Sequence, residues 1–257
     1  MNAIKELITY KEMIHMLVRK ELRTRYKGSF LGFLWTFLNP LLQLVVYSTV
    51  FSLIMRVEIE NYAIFLFIAL IPWTFFSTAL QGGATSVVQG KELLKKIYFP
   101  RIVLPLATVS AAFMNMVYSM VVVLAVVFFG GLGLSWYALY LPLIMVLSYI
   151  FVLGISILFS ALTVYFRDLE HLLNIFVMAL FYLTPIVYTI DMVPAAYRSI
   201  SYFNPMTSII GAYRDILYFQ RSPLDQNLLP LLLWGLVSIV IGFICFNRLQ
   251  RHFVEEM

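Results

Sequence analysis

The feature that most constrains this chain is an uncharged run of 65 residues, from 102 to 166. A helix crosses the hydrocarbon core of a bilayer with about 20 apolar residues, so this run is too long for one crossing and suits two. The glycine-rich segment 130–137 carries aromatic residues of the kind found at membrane interfaces, and it supplies the turn between the two crossings. We therefore predict membrane spans at about 103–129 and 138–165.

The rest of the chain repeats this pattern of uncharged runs separated by short charged segments. It predicts four more spans, at about 31–55, 62–83, 172–190 and 227–246. Only 12% of the residues are charged and 62% are hydrophobic, whereas about a quarter of the residues in a soluble domain are charged. The sequence therefore predicts an all-α membrane protein with six transmembrane helices, which form a single transmembrane domain over residues 1–257.

The distribution of basic residues predicts the orientation. With the N-terminus in the cytoplasm, 14 of the 18 Lys and Arg residues fall on the inner side, and the four on the outer side are Arg56, Arg198, Arg214 and Arg221. An excess of Lys and Arg in cytoplasmic segments is the usual signature of a multi-pass protein. We therefore predict that both termini are cytoplasmic. The basic residues flank apolar spans, so they do not indicate a nucleic-acid partner.

Residues 1–27 predict a helix that lies on the membrane surface. Within residues 3–26, the apolar side chains fall mainly on a face roughly 120° wide at 100° per residue, and most charged side chains lie on the other side. Such a helix can be a lever that a partner protein pushes, or it can be a simple anchor on anionic lipid. The pattern supports both interpretations equally.

Ionisable side chains are absent from the centres of the six predicted spans. Secondary transporters, proton pumps and intramembrane hydrolases place such groups near the midplane, so these classes are disfavoured. Gly90-Lys91 lacks the rest of a phosphate-binding loop, and the three histidines and one cysteine show no metal-ligand spacing. We therefore predict a transport subunit without catalytic or metal-binding residues, which is not an enzyme and is driven by a separate ATPase. A channel is the alternative.

Aromatic side chains form a stripe along the first predicted span. The residues of the stripe recur at alternating steps of four and three, which places them on one helix face. They are Phe33, Phe37, Pro40, Leu44, Tyr47 and Phe51. Such a stripe can line a path for a ligand that stacks on rings, and it is also typical of ordinary helix packing. Both interpretations stay open at this point.

Several segments, taken in chain order, resemble a known family. They are RYKGSFLGFLWTFLNPL at 25–41, KKIYFPRIVLPL at 95–106, FRDLEH at 166–171, LTPIVY at 183–188, and NPM with GAYRD between 204 and 215. Over nearly its whole length the chain is similar to type-two ABC exporter permeases of the polysaccharide branch. That branch includes O-antigen, capsule and teichoic-acid exporters, and the resemblance to the O-antigen group is the closest.

The resemblance implies a homodimer of this chain that binds two copies of an ATPase subunit in the bacterial cytoplasmic (inner) membrane. It implies export of a polyprenyl-pyrophosphate-linked polysaccharide, with ATP and Mg²⁺ bound by the ATPase and no cofactor bound by this chain. A drug or lipid exporter and an ATP-independent channel are the alternatives. The sequence does not identify the sugar.

Two groups of candidate site residues lie in or before the spans. The candidates for the lining of the translocation path are aromatic: Phe33, Phe37, Tyr47, Phe51, Phe181, Tyr182 and Tyr188. The candidates for contact with the lipid pyrophosphate are the basic residues Arg23, Arg25 and Lys27. Plain anchoring of the chain at the headgroups is the alternative for the basic group.

Two further groups lie between spans. Residues 86–101 are the candidate segment for coupling to the ATPase, through Lys91, Glu92, Lys95, Lys96 and Arg101. Positive-inside anchoring explains Lys95 and Lys96 equally well. Residues 191–225 mix prolines, aromatic residues and charges, and they predict short helices that lie on the outer leaflet or dip into it. The candidates for an outer gate in this segment are Arg198, Arg214 and Asp215.

Arg214 and Asp215 are consecutive in the sequence. Neighbouring residues of a helix do not face each other, so an ion pair between these two side chains is not expected. We therefore predict that any ion pair of either residue is made with another element.

Overall fold

The computed structural model describes residues 9–54, 59–224 and 226–253. Every regular element within these residues is helical, which confirms the predicted fold class. The α-helices are α1 (Lys11–Tyr26), α2 (Trp35–Ser48), α3 (Tyr62–Gln89), α4 (Lys91–Lys96), α5 (Val103–Phe129), α6 (Leu141–Tyr165), α7 (Leu169–Leu183), α8 (Ala195–Phe203), α9 (Pro205–Leu217) and α10 (Leu228–Leu249).

Five stretches of helix are long and apolar enough to cross a membrane. They are Gly32–Phe51, Tyr62–Lys96, Val103–Phe129, Trp136–Tyr165 and Leu228–Leu249. The first of them joins a 3-10 turn, α2 and the start of a π-helical turn. The shorter apolar helix α7 is the sixth of the predicted set. The six predicted spans therefore correspond to five long helices and one short helix.

The predicted fifth span, 172–190, is wrong at its C-terminal end, because α7 ends at Leu183 after 15 residues. Thr184 precedes Pro185, and a residue before proline is driven out of the helical region; its φ and ψ are −97° and 136°. Proline also lacks the N–H group that a continuing helix requires. The chain after α7 therefore forms a buried turn over residues 184–187.

The central helix of the bundle is α3. Most of its side chains are buried, and Phe65, Phe67 and Phe76 are among the most fully enclosed residues of the protein. It packs against both α5 and α6. Twenty of the 28 residues of α3 are buried, against two of the 14 residues of α2, Thr36 and Pro40. The core is therefore built around α3, and α2 is a peripheral helix.

α6 packs along α10 and approaches it closely at one crossing. Gly154 of α6 faces Gly242 of α10, and a Cβ atom on Gly242 would overlap the carbonyl oxygen of Gly154. Glycine at such a crossing allows two membrane helices to approach at backbone distance. At Gly235 of α10, by contrast, the nearest atom to a Cβ would be 3.6 Å away. The requirement for glycine is therefore local to the crossing.

The short helices α8 and α9 have opposite surroundings. α8 exposes large apolar side chains such as Phe203, whereas nearly every residue of α9 is buried. The Asn204 side chain accepts a hydrogen bond from the backbone N–H of Met206 at 3.0 Å, which caps α9, and it donates to Thr184 Oγ1 at 2.8 Å. The predicted short helices before the last span are confirmed, and α9 is the one that enters the bundle.

The N-terminal helix α1 packs across the start of α5. On one side of the contact are Tyr10, which precedes α1, and Met13, Ile14 and Leu17 of α1. On the other side is a small apolar cluster of Phe99, Val103 and Leu104. The loop helix α4 packs on the same cluster through Leu93 and Leu94. α1 and α4 therefore share one end of the bundle. Residues 1–8 of the predicted surface helix lie outside the described residues.

Candidate functional site

A cavity of about 580 Å³ separates α2 from α3 and α5. Its wall is rich in hydroxyl and amide side chains: Ser29, Thr36, Asn39, Gln43, Thr74, Thr78, Asn115 and Ser119. Trp35 and Phe75 add two aromatic rings, and none of the described residues in the wall carries a charge. An uncharged hydrophilic space therefore lies between apolar spans.

Hydrogen bonds fix the wall of this cavity. Trp35 Nε1 donates to Ser29 Oγ at 2.9 Å, which orders the chain before α2. Ser119 of α5 donates to the carbonyl of Thr36 at 3.3 Å and so links α5 to α2. Thr78 of α3 donates at 2.7 Å to the carbonyl four residues before it, as threonine commonly does in an apolar helix. The hydroxyl oxygens keep acceptor capacity toward the cavity.

Asn39 and Gln43 lie about one turn apart in α2, and both are exposed on the protomer surface. A primary amide placed against lipid chains leaves its donors and acceptors without partners, which costs several kcal/mol. This face of α2 therefore meets water or another polypeptide rather than lipid. Neither amide was among the predicted site residues, although their spacing of four in an apolar span is a readable signal.

Part of the predicted aromatic set comes together near the C-terminal end of α2. The Tyr47 ring stacks on Phe181 of α7 with ring centroids 5.6 Å apart, and Phe181 contacts Trp73 and Tyr182 at 5.5 and 5.3 Å. Phe181 is buried in this cluster, whereas Tyr182 is 65% exposed. Trp73 was missed because its part in the cluster depends on how α3 packs against α7.

The other members of the predicted aromatic set lie apart from this cluster. Phe33 contacts Phe37 and Tyr118 edge-on, with centroids 5.3 and 5.2 Å apart, at the N-terminal end of α2. Phe51 packs against the main apolar core. The Tyr188 hydroxyl donates to a backbone carbonyl of α7 at 3.1 Å. The first span therefore carries aromatic rings toward both ends and amides between them.

A groove of about 860 Å³ lies beside the start of α2. The basic residues that line it are Arg19, Lys20, Arg23 and Lys27. Two of the three predicted pyrophosphate contacts, Arg23 and Lys27, are therefore in the groove, and the side chain of Arg25 lies outside the described part of the structure. Gly32 and Phe33 complete the groove, and the residues that follow them line the polar cavity.

Comparison with known proteins agrees with this arrangement of helices. The sequence matches the family of ABC-2 type transporters over residues 12–218. The chain belongs to this family. It is 36% identical over 247 residues to the O-antigen export system permease protein RfbA of Klebsiella pneumoniae, which covers 95% of this chain and 94% of that protein.

Two further relatives of this ABC-2 family chain cover almost its whole length. The O-antigen export system permease protein RfbA of Myxococcus xanthus is 36% identical over 258 residues, which cover 100% of this chain and 99% of that protein. The polysialic acid transport protein KpsM of Escherichia coli is 24% identical over 249 residues, 94% of this chain and 95% of that protein. The resemblance to polysaccharide-branch permeases is thus confirmed.

The predicted coupling segment of this ABC-2 family chain forms a surface at the α1 end of the bundle. α4 carries four of its five residues: Lys91, Glu92, Lys95 and Lys96. The Nζ atom of Lys95 lies 3.9 Å from Glu92 Oε1, and both side chains are mostly exposed, so the pair adds little stability. The next residues, Ile97 and Tyr98, are also exposed, and Tyr98 is 92% exposed. An exposed aromatic residue beside charges is typical of a protein-binding surface.

The fifth predicted coupling residue, Arg101, is engaged within the chain. Its Nη1 donates to the carbonyl of Gln250, and its guanidinium carbon lies 5.5 Å from the centre of the Phe253 ring. The Tyr165 hydroxyl at the end of α6 donates to the carbonyl of Leu249 at 2.7 Å. The C-terminal end of α10 is thereby tied both to the segment after α4 and to α6.

Arg214 of the predicted outer gate is 4% exposed. Its guanidinium donates to the carbonyls of Phe65, Pro185 and Ile186, and it lies 3.4 Å from the centre of the Phe65 ring. Two of these carbonyls, those of Pro185 and Ile186, belong to the turn that follows α7. Because the helix ends before them, they lack helical hydrogen bonds, and Arg214 donates to them instead. Burial lowers the pKa of Arg214 to about 9, which leaves the guanidinium protonated at neutral pH.

Asp215 is also buried, and its carboxylate accepts hydrogen bonds from Arg221 Nε at 2.7 Å and Asn227 Nδ2 at 2.6 Å. The ion pair of Asp215 is made with a residue beyond α9, as the sequence predicted. Neither Arg221 nor Asn227 was predicted as a partner of Asp215. Arg198 lies apart from this cluster and donates to two carbonyls of the turn before α8, at 3.0 and 2.8 Å. The structure therefore brings Arg214 and Asp215 into one buried region and leaves Arg198 outside it.

Proposed function

We propose that this chain is the membrane subunit of an ATP-driven exporter that moves a polyprenyl-pyrophosphate-linked polysaccharide, of the O-antigen type, across the bacterial cytoplasmic membrane. The observation that carries the proposal is the uncharged hydrophilic cavity of about 580 Å³ between α2, α3 and α5. The names of the two RfbA relatives, both O-antigen export permeases, support the same class of cargo.

The cavity wall suits a sugar chain. Sugar hydroxyls both donate and accept hydrogen bonds, and the amides of Asn39 and Gln43 do the same. The aromatic rings toward both ends of the first span offer faces on which sugar rings can stack. Contacts of this kind are weak and repeated, so a long polymer can slide past them.

The basic groove suits the phosphate end of the lipid carrier. Arg23, Arg25 and Lys27 precede the first span on the side that the charge distribution predicts to be cytoplasmic. Guanidinium and ammonium groups bind phosphate oxygens through charge-assisted hydrogen bonds. Phe33 lines the groove, and the cavity begins just after it in the chain, so a carrier bound in the groove holds its first sugars near the path.

The energy for transport comes, in this proposal, from a separate ATPase that binds ATP and Mg²⁺. Two copies of this chain bind two copies of the ATPase, with the N- and C-termini in the cytoplasm. The surface of α4, together with the exposed Tyr98, contacts the ATPase. Asn39 and Gln43, which cannot face lipid, line the space between the two copies of the permease.

Reconstitution tests the proposal. The chain is purified with its partner ATPase, placed in proteoliposomes, and supplied with a polyprenyl-pyrophosphate-linked oligosaccharide on the face that binds ATP. We expect ATP-dependent transfer of the glycan to the opposite compartment, and ATP hydrolysis that rises with the substrate. An ATPase with its catalytic glutamate replaced is the control and should support neither.

Two outcomes would refute the proposal. Passage of the glycan without ATP would identify a channel. Stimulation of ATP hydrolysis by phospholipids or hydrophobic drugs, with no response to the glycan, would identify an exporter of the other class.

A further inference from the structure

A polar stripe runs along one face of α3. Its members are Thr74, Ser77, Thr78, Gln81, Thr85 and Gln89. At 100° per residue they fall within an arc of about 120°, which is the width of one helix face. From Thr74 to Gln89 the stripe follows about 22 Å of helix, from near the middle of the predicted span 62–83 to beyond its predicted cytoplasmic end.

The stripe passes through two cavities. Thr74 and Thr78 are in the wall of the cavity between α2, α3 and α5. Gln81 and Thr85 are in the wall of a second cavity, of about 190 Å³, between α3 and α7. Thr78 and Gln81 are three residues apart and are therefore neighbours on the helix surface. The two cavities follow each other along α3, and the second is nearer to α4, at the end predicted to be cytoplasmic.

The wall of the second cavity contains a single charge. α7 contributes Glu170 and Asn174, which lie about one turn apart, and Gly82 and Leu173 complete the wall with Gln81 and Thr85. The described residues that line the two cavities include neither Lys nor Arg. A molecule that moves along the stripe from the α4 end therefore meets one carboxylate and then only neutral groups.

Ordinary helix packing does not account for the stripe. Thr74, Thr78 and Thr85 donate to carbonyls of their own helix at 2.7, 2.7 and 3.2 Å, which makes each hydroxyl compatible with an apolar span. Those bonds do not explain why the same face borders open space in two places. They also do not explain why an amide residue of each helix, Gln81 of α3 and Asn174 of α7, lines the second cavity.

We infer that the α3 stripe, with Glu170 and Asn174, is the path of the sugars that follow the pyrophosphate, and that it selects neutral glycans over anionic ones. The inference rests on the proposed function. A carboxylate accepts hydrogen bonds from sugar hydroxyls, whereas it repels a carboxylate or phosphate group on a glycan. No basic residue of either wall offsets that repulsion, because the basic residues of the groove lie outside both cavities.

A matched pair of lipid-linked glycans tests the inference in the complex of permease and ATPase. One is polyprenyl-pyrophosphate oligomannose, and the other is the corresponding oligomannuronate, which differs only in a carboxylate at C6 of each sugar. We expect the complex to transport the oligomannose about tenfold faster than the oligomannuronate, since the Glu170 carboxylate repels each carboxylate that passes it. The preference should shrink as the salt concentration rises.

The substitution Glu170→Gln removes the one charge of the path. It should raise transport of oligomannuronate several-fold and leave transport of oligomannose nearly unchanged. Glu21→Gln, the same substitution at an exposed position of α1 outside the groove and both cavities, should change neither rate. Asn174→Asp adds a second carboxylate to the same cavity, and it should increase the preference for oligomannose.

The neutral part of the stripe is tested with Thr78→Val, which should slow transport of oligomannose several-fold. Thr163→Val is the matched control, because the Thr163 hydroxyl donates to a carbonyl of its own helix at 2.8 Å but lines neither cavity. Thr163→Val should leave the rate unchanged. Equal slowing by both variants would contradict a role for the stripe as the path.

The possible failures are distinguishable. Equal transport of the two glycans by the wild-type complex would overturn the inference and leave the proposed function intact. Transport of neither glycan, with the ATPase bound and active, would overturn the proposed function itself. A preference that both Glu170→Gln and Asn174→Asp leave unchanged would show that the selection does not occur at the second cavity, and would also overturn the inference.

Discussion

Two helix contacts in this bundle are built in opposite ways. α6 and α10 meet at Gly154 and Gly242 with no room for a Cβ atom between them. α2 meets α3 and α5 across a cavity of about 580 Å³. Membrane helices associate through close packing and hydrogen bonds, because lipid is as apolar as their side chains. The contact between α6 and α10 is therefore rigid, and that of α2 is loose.

The bundle is packed less tightly at α2 than between α6 and α10. A cavity between helices loses dispersion contacts on every atom of its wall. An apolar cavity stays empty, whereas a cavity lined by hydroxyls and amides holds water or a polar ligand. The loosely packed contact of α2 is therefore also the place where hydroxyl and amide groups can bind water or a polar ligand in the cavity. We expect substitutions at the rigid contact to lower stability, and substitutions at the loose contact to lower transport.

The largest loss of stability is expected from Gly242→Ala. The added methyl group overlaps the carbonyl of Gly154, and the helices must separate to admit it, which costs about 3 kcal/mol. The melting temperature in detergent and the amount of protein in membranes should both fall. Gly235→Ala on the same helix is the control, because the nearest atom is 3.6 Å from its Cβ. Equal destabilisation by the two variants would contradict a special role for the crossing.

A smaller loss of stability is expected from Arg214→Leu. The carbonyls of Phe65, Pro185 and Ile186 lose their donor, and leaving buried acceptors unpaired costs about 2 kcal/mol. Arg214→Lys keeps the charge without the planar fork of donors, so it should restore only part of the stability. Thermal unfolding measures both variants.

Arg198→Leu is the control for this cluster, since Arg198 bonds to carbonyls at the surface, and it should cost less than about 1 kcal/mol. A melting temperature of Arg214→Leu equal to that of the wild-type protein would show that the buried cluster does not hold α9 in place.

At the loose contact, the double substitution Asn39→Leu with Gln43→Leu should change stability by less than about 0.5 kcal/mol, because both side chains are exposed. It should nevertheless reduce glycan transport by about tenfold, since it removes two hydrogen-bonding groups from the path. Val46→Leu, at another exposed position of α2, is the control and should leave transport unchanged. A fall in melting temperature as large as that of Gly242→Ala would show that the amides stabilise the fold.

The smallest effect on stability is expected from Tyr98→Ala, because the side chain is 92% exposed. The substitution should leave the melting temperature of the permease unchanged and reduce the amount of ATPase that co-purifies with it, since exposed aromatic residues anchor protein interfaces. Trp136→Ala is the matched control, as Trp136 is 87% exposed in the predicted outer turn. Undiminished recovery of the ATPase with Tyr98→Ala would exclude this residue from the contact.

Charge and hydropathy made much of the fold predictable. The predicted span 103–129 agrees with α5 at both ends, because charged and proline residues bound it on one side and glycines on the other. α7 was predicted to be too long at its C-terminal end, since the sequence stays apolar beyond Pro185 although the helix does not. A hydropathy pattern indicates which residues avoid water, but it does not indicate whether the backbone of those residues is helical.

The contacts of the candidate site residues were less predictable than the fold, and the reason differs from one group of residues to another. Trp73 of α3 contacts Phe181 of α7, and Tyr118 of α5 contacts Phe33 of the aromatic stripe, so both contacts depend on how the helices cross. The partners of Arg214 are backbone carbonyls, which every residue possesses, and no pattern of side chains can indicate them. Asn39 and Gln43 were readable in the sequence, because amides one turn apart in an apolar span require a polar neighbour.

The weak apolar character of the first span bears on how the protein is made. Over an 18-residue stretch of each span, the mean hydropathy is 1.3 for the first span, 2.0 for the span that begins at Tyr62 and 2.5 for Leu228–Leu249. During synthesis α2 leaves the ribosome before α3 and α5, so a span that lipid alone retains weakly reaches the membrane before the helices that it packs against. The basic residues ahead of α2 are predicted to be cytoplasmic, and in that orientation they would hold its N-terminal end on the inner side until those helices emerge. We therefore expect the first span to be stably inserted only after α3 and α5 have been translated.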